Sequence, residues 1–245
     1  MLEVNYILLS LVMIIIIITG CYKAGKNYFE DKDKLNSSIF KVAIFLAGLM
    51  AYLSILSFTK VLTNFEMPPR FPIFLVIPLL VFSIYFYIKN KNNAFIQSIP
   101  LHWTAFYQTF RVAVEFLILY TFLKGIMPVE ASFEGYNFDI IIGISALPIG
   151  LLIYKTNRRY KTLLRIWNIV GILMVLFVAV IVATNAYQPQ IWGYSEPSIK
   201  KEFMQLPYLL LGGFLAPSAI FIHLISLIQL NKKYNKCKSI FRMTL

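Results

Sequence analysis

Pro100-Leu101-His102-Trp103-Thr104-Ala105-Phe106-Tyr107-Gln108-Thr109-Phe110-Arg111-Val112-Ala113-Val114-Glu115 opens the fourth apolar stretch of the chain and carries two charges, Arg111 and Glu115, into the middle of a membrane span. At 100° per residue, Thr104, Gln108, Arg111 and Glu115 fall within roughly 60° of one another on a helix. One polar stripe therefore crosses an otherwise apolar rod. A charge at the centre of a spanning helix costs about 2.5 to 3.5 kcal/mol on insertion scales, so the stripe is expected to face the inside of a bundle. Arg111 and Glu115, one turn apart, are expected to pair with each other.

Outward from that stripe the composition sets the class. With 59% apolar and 14% charged residues and a mean hydropathy of +0.71, the chain lies outside the soluble range, where about 25% of residues are charged. Seven stretches, 4–21, 39–58, 71–88, 101–123, 138–154, 163–184 and 206–230, are long enough to cross a hydrocarbon core of about 30 Å. Strands of a membrane barrel would be about ten residues with alternating polarity. The sequence predicts a single transmembrane domain, an all-α polytopic membrane bundle of seven helices.

The net charge of +12 invites a nucleic-acid reading, but its distribution has a simpler cause. With the N-terminus outside, seventeen of the 23 lysines and arginines fall on the cytoplasmic side, five outside, and Arg111 within the membrane. The positive-inside rule then predicts N-out, C-in topology. Anionic lipids at the cytoplasmic face are the expected partners of the basic loops, with no nucleic acid.

Ile18-Thr19-Gly20-Cys21 has the look of a lipoprotein cleavage site, but Met1-Leu2-Glu3 lacks the basic start of a signal. Cys21 and Cys237 both fall on the cytoplasmic side, which argues against a structural disulfide. Residues 22–38 read as a solvated connector, and the tail beyond Leu230 as a short basic extension. Pro78 lies inside the third span and frees a carbonyl that a neighbour must satisfy.

His102 lies near the inner interface, and Asn168 and His223 at a similar depth, so an inner polar cluster forms if those helices touch. At the outer mouth, Phe133-Glu134-Gly135-Tyr136-Asn137-Phe138-Asp139 gathers two carboxylates and an amide. Hard cations favour such oxygen ligands, but two carboxylates are too few for a metal site. A helix cap is the expected role, with Asn137 or Asp139 accepting orphan amide hydrogens. On that reading Asp139→Asn is nearly neutral.

Familiar seven-span chemistries fit poorly. Retinal needs a lysine in the last span for its Schiff base, and none lies between Lys201 and Lys232. Zinc hydrolases with three histidines cannot be assembled from His102 and His223, the only two present. No cofactor and no metal are therefore expected. No internal repeat of the kind found in seven-span carriers is evident.

Ile99-Pro100-Leu101-His102-Trp103, with Gln108, Phe110-Arg111, Val114-Glu115 and the run from Phe133 to Asp139, resembles a family of uncharacterised bacterial multi-span integral membrane proteins. The likeness is best over spans four to seven and includes Trp167-Asn168 and His223. It implies that the stripe is a shared feature and supplies no chemistry. The reading is a multi-pass protein of the bacterial inner membrane that binds or transports a small molecule or ion through span four, at Gln108, Arg111, Glu115, Asn168, His102 and His223. The alternatives are a lipid-modifying membrane enzyme, using Glu115, His102 or His223, and a structural or assembly subunit. The balance leans away from an enzyme.

Overall fold

The protein is described by a computed structural model covering residues 1–156 and 160–231. Arg158, Arg159, Cys237 and the basic tail lie outside these residues. Among the described residues, seven helices are long and apolar enough to cross a membrane: α1 (Leu2–Tyr28), α2 (Lys32–Phe58), α3 (Pro72–Asn90), α4 (Leu101–Leu123), α5 (Asp139–Thr156), α6 (Lys161–Tyr187) and α7 (Leu211–Leu230). The described residues contain no strand. The chain is a polytopic α-helical membrane protein.

The connector expected over 22–38 is helical almost throughout, broken only at 29–31. Helices of 27 residues are about 40 Å long, longer than a hydrocarbon core of about 30 Å. The charged ends of α1 and α2 therefore continue as helix into the water. Asp31 starts α2 with its side chain accepting from the Asp33 amide at 2.9 Å.

Depth in the bundle is unequal. In the most apolar window of each helix, 56% of α7 and 44% of α4 is buried within the protein, against 11 to 17% for α1, α2 and α3. α7 is the hub, packed on α1, α3, α4 and α6, while the first three helices turn Ile, Leu, Val and Phe side chains outward. In lipid an apolar outer face costs nothing, so interior packing falls to the helices that carry polar side chains.

Both α3 and α7 begin with a wide turn, in which Ile77 N–H bonds Pro72 O and Ala216 N–H bonds Leu211 O. Such π-type turns recur at functional sites. Pro78 has no N–H for the carbonyl of Phe74, and the Tyr52 hydroxyl of α2 donates to that oxygen instead.

The segment between α4 and α5 folds back into the bundle. Met127, Ala131, Ser132 and Asn137 are buried, and α5 starts beside the middle of α4, with Gly143 against Val112. A Cβ on Gly143 would lie 2.8 Å from the Val112 amide nitrogen, so only glycine permits this backbone approach. The segment is pinned from outside by Tyr194, whose hydroxyl donates to Glu130 Oε1 at 3.0 Å, and by the Lys200 amide on Ile126 O. Burial, then the Glu130 carboxylate, raises the pKa of the Tyr194 hydroxyl above its ordinary value. Irregular backbone at this depth is tolerated because protein surrounds it.

Candidate functional site

The polar stripe of α4 faces inward. Thr104, Gln108, Arg111 and Glu115 are all buried, the last three at 1% exposure or less. The helix is not uniform along the stripe. Around 108–109 it tightens, with the amides of Gln108, Thr109, Arg111 and Val112 each bonded three residues back. Gln108 Nε2 donates to Ala219 O of α7 at 3.0 Å, tying the tightened turn to the hub helix.

Arg111 does not pair with Glu115. Its Nε donates to Asp139 Oδ2 at 2.7 Å and its Nη2 to Asp139 Oδ1, a two-pronged ion pair with the first residue of α5. Nη2 also donates to Gly171 O of α6 at 3.1 Å, and Nη1 to His223 Nε2 of α7 at 2.9 Å. Four helices thus meet on one guanidinium. A planar donor fork matches a carboxylate better than any other cationic side chain does, and Asp139 presents both oxygens squarely where Glu115, on the same helix, does not. Asp139 is therefore an ion-pair partner, not the cap expected from the sequence. The capping role belongs to Asn137, whose Oδ1 accepts from the Asp139 amide at 2.9 Å.

The guanidinium can only donate, so His223 Nε2 accepts and its proton sits on Nδ1. Nδ1 then donates to Asn168 Oδ1 at 2.8 Å, leaving the Asn168 amide to donate to Ser226 Oγ and Leu164 O. The Trp167 ring stands edge-on to His223, centroids 5.2 Å apart, and its indole N–H bonds Ser145 Oγ. The imidazole is a neutral relay with both nitrogens occupied. Gly171 makes room for it: a Cβ there would overlap Nε2.

Glu115 is held from one side only. Asn137 Nδ2 donates to Oε2 at 2.8 Å and also to Ala131 O, which fastens the folded-back segment to mid-helix. Among the described residues, Oε1 has no hydrogen-bond partner. Glu115, Arg111 and Asp139 line a part-open cavity of ≈ 90 Å³ whose other walls are, apart from Ser83, apolar residues, most of them on α3, α4, α6 and α7.

The structure joins Arg111, Glu115, Asn137, Asp139, Asn168 and His223 into one buried hydrogen-bonded layer, and buries Gln108 on the same face of α4, bonded to Ala219 O. It leaves two expected members out. His102 packs on Phe106 and Tyr154 at the far end of α4, away from His223. Glu134 is exposed, so the outer-mouth cluster does not form as a unit: its amide and one carboxylate point inward and the other carboxylate outward. The unforeseen members are Gly171 and Ser226. Each repeats a visible spacing, Asn168 to Gly171 on α6 and His223 to Ser226 on α7, three apart and on one helix face.

Among the described residues, no group of three or more His, Cys, Asp or Glu side chains is placed to hold a metal ion. Compared with known proteins, the chain matches no family model, no curated protein and no solved structure. The resemblance drawn from the span-four residues thus gains no support from comparison. What is established rests on the helices: this is a multi-span membrane protein.

Proposed function

We propose that this protein binds a small cation, a proton or a positively charged solute, at Glu115 in the middle of the bundle, as the binding step of small-molecule or ion transport. One observation supports the reading above others. The layer contains one guanidinium and two carboxylates, and Asp139 takes the guanidinium in an ion pair, which leaves Glu115 without an ion-pair contact, with one oxygen unbonded, in the lining of a cavity. An uncompensated carboxylate in such a place is costly unless a proton or cation joins it.

The enzyme reading has less to stand on. His223 has no free nitrogen to act as a base, and His102 sits among aromatic rings at a distance from Glu115. A purely structural subunit gives no reason to leave a carboxyl oxygen unbonded beside a cavity.

Glu115→Gln separates these. The amide still offers Asn137 an oxygen but removes the charge, so unfolding in detergent should show a variant as stable as the parent or more so, by about 1 kcal/mol, the usual trade at a functional site. The same variant should fail to complement a strain deleted for the protein. A less stable variant, or one that complements fully, overturns the reading.

The setting we propose is a bacterial inner membrane, with the N-terminus and residues near Met67 and Gly193 outside. Contacts of Lys124 and Tyr208 with Glu3 and of Tyr187 with Phe71 gather these segments at one end. In a cysteine-free background, single cysteines at Met67 and Ile191 should react with an impermeant thiol reagent in whole cells, and one at Asn92 only after permeabilisation. Labelling of Asn92→Cys in intact cells would reverse the topology.

A further inference from the structure

The cavity beside Glu115 is a slot. Its walls run from Phe71 to Ser83 on α3, from Val175 to Val182 on α6 and from Leu211 to Ile220 on α7. The α3 wall alone is about 18 Å long at 1.5 Å per residue. Only Ser83, Arg111, Glu115 and Asp139 in the lining are polar, and the Ser83 hydroxyl is already bonded to Leu79 O.

The mouth of the slot lies on the lipid-facing surface. Leu79 and Leu80 of α3 and Val178 and Ala179 of α6 are lining residues that are partly exposed. Just beyond them Ile77, Val81, Phe177 and Val180 are each at least 44% exposed. No charged side chain stands among them. A solute from water would meet hydrocarbon first, whereas a molecule dissolved in the bilayer would meet the opening side-on.

We propose that the site takes a single-chain cationic amphiphile from the membrane: a protonated primary amine whose ammonium meets Glu115 Oε1 and whose alkyl chain lies in the slot. This rests on the reading of Glu115 as a cation site and names the class of cation. An anionic head fits poorly, because Arg111 already makes four of its five possible hydrogen bonds, and Asp139 and Glu115 repel it. The cavity of ≈ 90 Å³ equals about three waters' share of liquid volume. It holds the head and the first methylenes, and the rest of the chain leaves through the mouth parallel to its lipid neighbours.

The test uses the full chain in nanodiscs of neutral lipid, with radiolabelled decylamine, methylamine and decanoate as probes. Decylamine should bind saturably, roughly fifty-fold tighter than methylamine on the aqueous concentration scale, the effect of burying about three methylenes. That binding should disappear in Glu115→Gln, which removes the charge, and in Ala179→Phe, which fills the mouth without touching the polar layer. Equal binding of methylamine and decylamine, both lost in Glu115→Gln, overturns the amphiphile and leaves the cation site standing. Preferential binding of decanoate, decylamine binding indifferent to Glu115→Gln, or no saturable decylamine binding overturns the proposal; the cation site is then judged by its own amine-free test, the stability and complementation of Glu115→Gln.

Discussion

Arg111→Leu is expected to destabilise the protein by about 3 to 5 kcal/mol, because it leaves Asp139 as an uncompensated buried charge. Folded yield in detergent should collapse. The informative comparison is between two double variants. Apolar replacement of a whole buried pair is often neutral or stabilising, so Arg111→Leu with Asp139→Leu should recover most of the yield. Arg111→Leu with Glu115→Leu should not, since Asp139 still stands alone there. Recovery by the second double variant and not by the first would mean that Arg111 pairs along its own helix, and would remove the geometry on which the Glu115 site rests. For the same reason Asp139→Asn, nearly neutral if Asp139 were a cap, should instead be markedly destabilising.

The second large effect is expected at a residue with no side chain. Gly171→Ala puts a methyl group where His223 Nε2 lies, and the ring cannot swing away without releasing both Arg111 and Asn168. Overpacking of a fixed core typically costs about 1 to 3 kcal/mol, with about 1 kcal/mol more for each hydrogen bond lost. Gly171→Ala should therefore lower the unfolding midpoint clearly. Adding His223→Ala, itself destabilising, makes room for the methyl, so the double variant should fall well short of the sum of the singles. Strict additivity would show that the glycine and the ring do not touch.

Much of this architecture is legible before any coordinates. Seven apolar stretches and a stripe at Thr104, Gln108, Arg111 and Glu115 predict seven helices and an inward polar face, and both are found. Periodicity carries that information because it is local. The partner of Arg111 is not local. Asp139 lies 28 residues on, and at one turn's separation Glu115 was the obvious candidate, yet a bidentate fit favours a carboxylate that comes from another helix. The folded-back segment misled for a different reason. Glu134, Asn137 and Asp139 look like a wet loop by composition, and nothing in their spacing says that only the first stays outside. The rank of the helices was also hidden, since in lipid hydrophobicity does not distinguish a hub such as α7 from an outer helix such as α1.

The position of Asp139 at the head of α5 bears on how the chain reaches the bilayer at all. Released singly into lipid, α4 would carry Arg111 and Glu115 near its centre, each opposed by about 2.5 to 3.5 kcal/mol, while the compensating carboxylate of Asp139 would lie apart at the head of α5. Side by side, guanidinium and carboxylate cancel, and the glycine contact at Gly143 lets the two backbones close on each other. The hairpin is thus expected to be less costly to insert than α4 alone, and the ion pair that holds the finished bundle favours α4 and α5 leaving the translocation machinery together.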